Sequence, residues 1–307
     1  MTKFGTLTYK RRNRGFTLAE IAIVTLILGL MMAGVLGAIT NQINQGRVSA
    51  TQRQLDEIRE ALLGFAASNG YLPCPDTDGD GVENAPNRGV ATLLACTNVE
   101  GFLPWVTLGV HQTDAWGMRF RYRIKDEFAR ASAANSPAVG GITPIAACAV
   151  TAGTTDPSPT SDPNNCTFDI QDSGDIQINT RAGATGKSLA PVAGGTLISG
   201  VGTRAMISGY GIPVVILSFG KNSYGGVDAS GNQRPAPPAA NVDETTNYDA
   251  AARTAAAPAF VSRISKDADT VCVDSTAAGP LCEFDDIVVW ISTPVLVSKL
   301  IQANRLP

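Results

Sequence analysis

The pattern of apolar and polar residues divides the chain into an N-terminal helical segment and a mixed region. Residues 21–39 form an apolar run of nineteen residues in which only Thr25 is polar. At about 1.5 Å per residue, such a helix nearly matches the roughly 30 Å hydrocarbon core of a membrane. Residues 41–68 contain no proline, and apolar residues recur at helical spacing at Leu55, Ile58, Leu62 and Phe65. The pattern predicts one helix over residues 16–68, about 80 Å long, transmembrane in its first half and amphipathic in its second.

The region after residue 70 has the pattern of short strands. The long helix is expected to stop at Asn69-Gly70, because glycine favours a helix C-terminus and prolines follow it. Residues 118–124 alternate with a period of two, which is typical of a half-buried strand. Further elements are expected as strands over 175–180, 213–219 and 287–292 and a short helix that begins at Thr293-Pro294. These elements predict an α+β fold in which the long helix packs on an antiparallel β-sheet.

Three segments of biased composition are expected to be surface loop insertions. Residues 131–165 are rich in Ala, Ser, Thr and Pro, and residues 182–202 are rich in Gly and Ala. Residues 228–258 are rich in Ala, Pro and Asn. Such compositions favour turns and loops over packed elements.

Charged residues surround the start of the apolar run. Arg11, Arg12 and Arg14 precede it, and Glu20 lies at its mouth. Secretory signal peptides and signal anchors also place basic residues before an apolar run, but neither accounts for the acid. Thr17 and Glu20 fit a capping box, in which the glutamate complements the positive end of the helix. A charge beside a membrane segment is costly, so it indicates a function beyond capping.

The residues Gly15-Phe16-Thr17-Leu18-Ala19-Glu20, followed by the apolar run, resemble the processing signature of type IV prepilins and type II secretion pseudopilins. The resemblance implies that a prepilin peptidase cuts between Gly15 and Phe16 and methylates the new N-terminal Phe16. It implies that the carboxylate of Glu20 pairs with the amino terminus of a neighbouring subunit during filament assembly. The fold it implies is pilin-like.

The same resemblance implies a domain organisation and a set of partners. Residues 1–15 are the cleaved leader, residues 16–68 the long helix, and residues 69–307 a periplasmic or extracellular globular domain. The partners are other pilin or pseudopilin subunits, the prepilin peptidase and the inner-membrane assembly platform. The expected location is a single pass through the bacterial inner membrane, followed by the pilus or pseudopilus filament.

Charge and size modify this interpretation. The leader carries five basic residues and no acid, so its removal changes the formal net charge from −3 to −8. An acidic chain of this kind makes nucleic acid an unlikely general partner. The 292 residues left of 307 are many for a major pilin, which favours a minor or specialised subunit.

The cysteine pattern points to an oxidising compartment. All six cysteines lie beyond the apolar run, and an even number in a translocated domain predicts disulfides. Six cysteines allow fifteen pairings, of which joining sequence neighbours is the simplest. The candidates are Cys74, Cys96, Cys148, Cys166, Cys272 and Cys282.

A run of acids after Cys74 resembles the first half of a calcium-binding loop. Asp76, Asp78 and Asp80 alternate and are followed by glycine, which places hard oxygen donors around a sharp turn. Position twelve of an EF-hand loop, where a bidentate glutamate belongs, is Asn87, so Glu83 is the expected fourth ligand in a tighter loop. A structural Ca²⁺ is the predicted cofactor, and a solvated acidic turn is the simpler alternative.

Other pieces of the chain are similar to pseudopilin domains. Residues 69–73 match the exit from the long helix, and residues 114–117 match a strand entry in which Ala115 replaces the usual proline. A third group resembles the C-terminal calcium loop of that family, with its spacing expanded. This group comprises Gly220, Gly225-Gly226, Asp243, Glu244, Asp249, Asp285-Asp286-Ile287 and Trp290.

Signals of an enzyme are weak, and no catalytic residue is expected. Residues 183–188 resemble the end of a P-loop, but Arg181 stands where its first glycine is required. His111 is the single histidine, and no nucleophile motif accompanies it, so a structural histidine is expected.

Basic residues alternate along one predicted strand, at Arg119, Arg121, Arg123 and Lys125. The simpler interpretation is a solvated strand face that pairs with surface acids. The alternative is a set of phosphate contacts in a pilus-associated adhesin or DNA receptor. The sequence therefore favours a structural subunit of a type IV pilus or type II secretion filament over a ligand-binding subunit.

Overall fold

The computed structural model describes residues 15–85, 96, 98–129, 174–182, 186–189, 212–249, 258–267, 271–274 and 280–304, with the backbone alone at 33–41 and 127. The predicted insertion over 131–165, most of that over 182–202, and both Cys148 and Cys166 lie outside these residues. The chain divides into two compact units, Met1–Gly46 and Arg47–Pro307.

The helices and strands follow one another in an α+β order. They are α1 (Leu18–Asn69), β1 (Glu100–Phe102), α2 (Trp105–Leu108), β2 (Arg121–Ile124), β3 (Gln177–Asn179), β4 (Val214–Ser218), α3 (Val242–Tyr248), β5 (Ala259–Val261), β6 (Ile287–Ile291) and α4 (Thr293–Gln302). A 3₁₀ turn, Asp126–Ala129, follows β2. The predicted N-terminal helix is confirmed as α1.

The start of α1 is organised by the predicted capping box. The Thr17 amide N–H donates to Glu20 Oε2 at 2.8 Å, and the Glu20 amide N–H donates to Thr17 Oγ1 at 3.3 Å. The large apolar side chains of residues 16–32 are exposed. Within the described part of the chain, no helix combines the length and the apolar character that crossing a membrane requires.

The second half of α1 buries one face in the main core. Leu55, Ile58, Leu62 and Ala66 are fully buried, which matches the predicted helical spacing. The helix ends where Gly70 takes φ 84°, a left-handed conformation that favours glycine. Its amide N–H donates to the carbonyl of Ala66.

A four-stranded antiparallel sheet packs on this helix, as predicted. Its strand order is β1-β2-β4-β6, and every neighbouring pair is antiparallel. One face of the sheet joins the α1 core through Tyr122 and Ile216, together with Leu296 and Leu300 of α4.

The opposite face of the sheet contributes to a second core. Val215 and Leu217 of β4 pack there with Ile178 and Phe260. The last two residues belong to β3 and β5, which form a separate two-stranded parallel sheet. Strand β3 lies within the predicted strand over 175–180, but its parallel pairing with β5 was not predicted, because the two strands meet only through tertiary contacts.

The expectation of surface loop over 228–258 is wrong for its middle, which is helix α3. The Asn241 side chain caps α3 by accepting the Glu244 amide N–H at 3.3 Å. Asp243 and Glu244 of its first turn are buried, as is Asn247. Tertiary contacts therefore stabilise a helix whose polar composition resembles that of a loop.

Among the residues that the structure describes, two disulfides join cysteines that follow each other in the sequence. They link Cys74 to Cys96 and Cys272 to Cys282. Cys74 is fully buried in the main core.

Candidate functional site

Gly15 and Phe16, on the two sides of the predicted cleavage point, are both open to solvent. A Cβ at Gly15 would meet nothing within 4 Å, and Phe16 is 82% exposed. The helix begins two residues after Phe16, so the peptide bond between Gly15 and Phe16 lies in non-helical backbone. This geometry suits a peptidase, which needs an extended and accessible chain. The glutamate carboxylate of the capping box accepts both the amide and the hydroxyl of Thr17.

The first acidic cluster consists of Asp76, Asp78 and Asp80. One carboxylate oxygen of each lies within 4.8 Å of the others. Asp76 is fully buried and accepts three amide N–H groups, from Asp78 at 3.2 Å, Gly79 at 2.7 Å and Gly81 at 2.9 Å. Burial raises the pKa of Asp76, whereas the Asn84 amide lowers the pKa of Asp78. The predicted loop thus brings three of its four candidate ligands together.

Glu83 is placed apart from these three aspartates. Its Oε2 accepts the Cys74 amide N–H at 2.9 Å, and its own amide N–H donates to Thr107 Oγ1 at 3.0 Å. The residue therefore ties the end of the loop to the disulfide segment.

Arg119 supports the aspartate loop from outside. Its Nη1 donates to the Gly79 carbonyl at 3.1 Å, and its Nη2 donates to the Ala229 carbonyl at 2.8 Å. The guanidinium lies 5.2 Å from the ring centroids of both Phe102 and Trp105. The loop is thereby fixed to β1, α2 and the turn after residue 228.

The second acidic cluster consists of Glu244, Asp285 and Asp286, again with one oxygen of each within 4.8 Å of the others. Glu244 is 1% exposed and accepts side-chain amide N–H groups from Asn222 at 2.9 Å and Asn241 at 2.8 Å. The Asp285 amide N–H also donates to Glu244, at 3.1 Å. Helix α3 and the segment before β6 therefore meet at this carboxylate.

The two aspartates of this cluster are held differently. Asp285 Oδ2 accepts the Asn222 amide N–H at 2.7 Å, whereas its Oδ1 is buried and has no hydrogen-bond donor. Asp286 Oδ2 accepts from Asn247 Nδ2 at 2.8 Å. An orphaned buried carboxylate oxygen is costly and indicates a place for a cation or a proton.

Electrostatics agrees with that interpretation. Burial, reinforced by the neighbouring carboxylates, raises the pKa of Glu244 to about 7 and that of Asp285 to about 7. A divalent cation would remove this repulsion, and the oxygen donors present suit a hard cation such as Ca²⁺. The residues of the second cluster therefore fit a bound Ca²⁺.

Other residues that resembled a calcium loop lie outside this cluster. Asp243 faces away and pairs with Arg263, and Asp249 is the C-cap of α3. Gly220 and Gly225 take positive φ in the turn that presents Asn222. Trp290 packs against the second core.

A buried ion-pair network lies behind the second cluster. Arg263 Nε donates to Asp243 Oδ2 at 2.7 Å, and its Nη2 lies 3.7 Å from Asp274 Oδ1. Arg181 Nη2 lies 3.8 Å from the same Asp274 oxygen. The guanidinium of Arg263 also stacks on Phe284 at 4.5 Å. The sequence did not indicate this network, because its members are far apart and follow no periodic pattern.

The arginines along β2 (Arg121 and Arg123) and just before it (Arg119) do not form a solvated face, so that interpretation is wrong. Arg119 is 9% exposed and Arg123 is 6% exposed. Arg123 pairs with Glu100 of β1 at 3.0 Å, and Arg121 lies 5.9 Å from the rings of Phe102 and Phe219. The second core and aromatic rings cover this side of the sheet.

Two features, His111 and the P-loop-like segment over residues 183–188, are the weak enzyme signals of the sequence. His111 is exposed in the segment between α2 and β2. Lys187 and Thr180 are joined by two hydrogen bonds, and Ser188 makes a β-bridge to Asn179. Residues 183–185 of the P-loop-like segment lie outside the described residues.

Sequence comparison identifies the N-terminal segment. Residues 10–36 match the family described as the prokaryotic N-terminal methylation motif, which is the prepilin-type motif of type IV pilins and pseudopilins. Comparisons with curated proteins and with solved structures gave no match.

Proposed function

We propose that this chain is a minor pilin or pseudopilin, a structural subunit of a type IV pilus or type II secretion filament. The observation that carries the proposal is the methylation motif over residues 10–36, whose cleavage point lies in accessible, non-helical backbone. Prepilin peptidase cuts after Gly15 and methylates Phe16. The leader over residues 1–15 is thus removed before assembly.

The N-terminal half of α1 acts first as an anchor and then as an assembly element. Its large apolar side chains are exposed from Phe16 to Met32, which suits transfer from a lipid to a filament interior. In this proposal the helix spans the inner membrane once, with the globular domain in the periplasm. The assembly platform extracts the helix into the growing filament.

Glu20 selects the position of each incoming subunit. A carboxylate in an apolar environment is unfavourable unless a cation compensates it. The new α-amino group of a neighbouring Phe16 supplies that cation only in one axial position. Within a single chain, the carboxylate has Thr17 as its partner, so the capping box holds it ready at the helix start.

A structural Ca²⁺ completes the proposal. Glu244, Asp285 and Asp286 would hold it in the second cluster, and Asp76, Asp78 and Asp80 offer a further set of oxygens. A bound cation would supply charge neutralisation between α3 and the segment before β6. It would thereby stabilise the globular domain that the filament displays.

The processing step is tested by intact mass and N-terminal sequencing of the chain expressed with a prepilin peptidase. We expect N-methylated Phe16 at the terminus and an unprocessed chain for Gly15→Val. An uncut Met1, or another terminus, would refute the proposal.

The assembly step is tested separately with Glu20→Gln. We expect this variant to be cut and methylated normally but to be lost from sheared filaments. Glu57→Gln is the matched control, because Glu57 is an exposed acid on the polar half of α1. Equal incorporation of both variants would refute the role of Glu20.

A further inference from the structure

The Cys272–Cys282 disulfide is built into the support of the second acidic cluster. Cys282 is 1% exposed and lies three positions before Asp285. Its amide N–H donates to Asp274 Oδ1 at 2.9 Å, and its carbonyl accepts from Arg263 Nη2 at 3.0 Å. The disulfide bond therefore fixes a segment that contacts both an acid and a base of the buried ion-pair network.

The network continues from the disulfide loop to helix α3. Asp274 is fully buried and accepts the Asp243 amide N–H at 3.5 Å. Arg263, which contacts Asp274, also binds the Asp243 carboxylate. Asp243 precedes Glu244 in the first turn of α3. The position of Asp274 inside the closed loop thus determines where Glu244 is held.

A second connection runs through one side-chain amide. Asn241 Nδ2 donates both to the Glu283 carbonyl at 2.9 Å and to Glu244 Oε2 at 2.8 Å. The chain directly after Cys282 is therefore bound to the same carboxylate that the ion-pair network positions. The neighbouring Phe284 forms an antiparallel bridge with Lys266, which aligns the segment leading to Asp285.

We propose that the redox state of Cys272–Cys282 controls the affinity of the Glu244–Asp285–Asp286 cluster for a divalent cation. This inference rests on the cation site of the proposed function. The oxidised form holds α3 and the Asp285 segment at the spacing that one cation bridges. Opening the loop frees Asp274, so the Asp243 amide N–H and Arg263 both lose their contact with it, the first turn of α3 loses that support, and the clustered carboxylates separate.

The chemistry requires a dithiol reductant, such as dithiothreitol or a reduced dithiol oxidoreductase. Its thiolate attacks the partly exposed Cys272 sulfur, the S–S bond breaks, and Cys282 leaves as a thiolate that takes a proton. The second thiol of the reductant then displaces Cys272 from the mixed disulfide. Two cysteine thiols are formed while the dithiol is oxidised to its own disulfide.

Thermodynamic linkage makes the proposal measurable in the native chain. If the closed loop favours cation binding, the cation favours the closed loop by the same factor. The full chain in detergent is equilibrated in dithiothreitol redox buffers with excess CaCl₂ or EDTA. Free thiols are then alkylated and each cysteine pair is quantified by mass spectrometry. The midpoint is the ratio of reduced to oxidised dithiol at which half of the Cys272–Cys282 pair is reduced. We expect calcium to raise this ratio about tenfold.

Two variants separate this coupling from general stabilisation. Glu244→Gln removes a carboxylate from the second cluster and should abolish the calcium effect on Cys272–Cys282. Asp78→Asn removes a carboxylate from the first cluster and should leave that effect unchanged. Calcium protection that persists in Glu244→Gln would overturn the proposal.

Calorimetric titration of calcium distinguishes the failure of the coupling from the failure of the site. Binding that Glu244→Gln abolishes, without protection of the disulfide, overturns the redox coupling and leaves the cation site intact. Absence of any calcium binding that depends on Glu244 overturns both.

Discussion

Removal of the Arg263 charge is the sharpest test of the packing behind the second cluster. Arg263→Met keeps much of the side-chain volume and removes the partner of two fully buried carboxylates, Asp243 and Asp274. Asp243 would retain the Ala182 amide N–H at 2.8 Å, and Asp274 would retain Arg181 and the Cys282 amide. Asp243 is therefore the carboxylate that Arg263→Met leaves with least compensation for its charge.

The expected cost follows from burial. Breaking a buried ion pair by removing one partner costs about 3–5 kcal/mol, because the remaining charge stays out of water. For a domain of this size each kcal/mol lowers Tm by about 2–4 °C, so the expected fall is about 6–20 °C. Lys221→Met is the matched control, because the Lys221–Asp267 pair has side chains 50% and 98% exposed. An exposed pair contributes about 0–1 kcal/mol.

The assay is urea and thermal unfolding followed by circular dichroism at neutral pH, with oxidised disulfides. Arg263→Met should be far less stable than Lys221→Met, and adding Asp243→Asn should recover part of the loss by removing the orphaned charge. A loss below about 1 kcal/mol for Arg263→Met would refute the reasoning. It would mean that water or another cation compensates Asp243.

Two further predictions concern the acidic clusters. In EDTA, the free energy of unfolding should fall as pH rises through about 7, because the raised pKa values of Glu244 and Asp285 make the folded state bind more protons than the unfolded chain. The stability from this protonation is fully present below the ordinary carboxyl pKa. Excess CaCl₂ should remove most of the decline with pH, because the cation replaces the protons. Equal slopes of Tm against pH in EDTA and in calcium would contradict this prediction. Gly81→Ala should destabilise the domain by about 1–3 kcal/mol more than the control Gly231→Ala. Both glycines have left-handed φ, but only at Gly81 would a Cβ overlap the Trp105 ring. Equal Tm values for the two variants would show that the loop moves away from α2 at little cost.

The sequence alone determined the features that depend on near neighbours. Helix α1, its capping box and its end at Gly70 follow from spacings of three and four residues and from one left-handed glycine. The aspartate loop was predictable for the same reason, because its carboxylates bind amides two to five positions ahead.

Only the tertiary structure decided which polar residues are buried and what they meet. The arginines at 119, 121 and 123 have the alternation of a solvated face, yet aromatic rings and a second layer cover them. Helix α3 has the composition of a loop and is stabilised by its own N-cap Asn241 and by Arg263 and Asp286 from elsewhere in the chain. The second cluster joins Glu244 to Asp285 and Asp286, and Asn222 binds the first two; no local spacing relates these segments. Its chemistry depends on burial, and burial is a property of packing that a linear pattern does not contain.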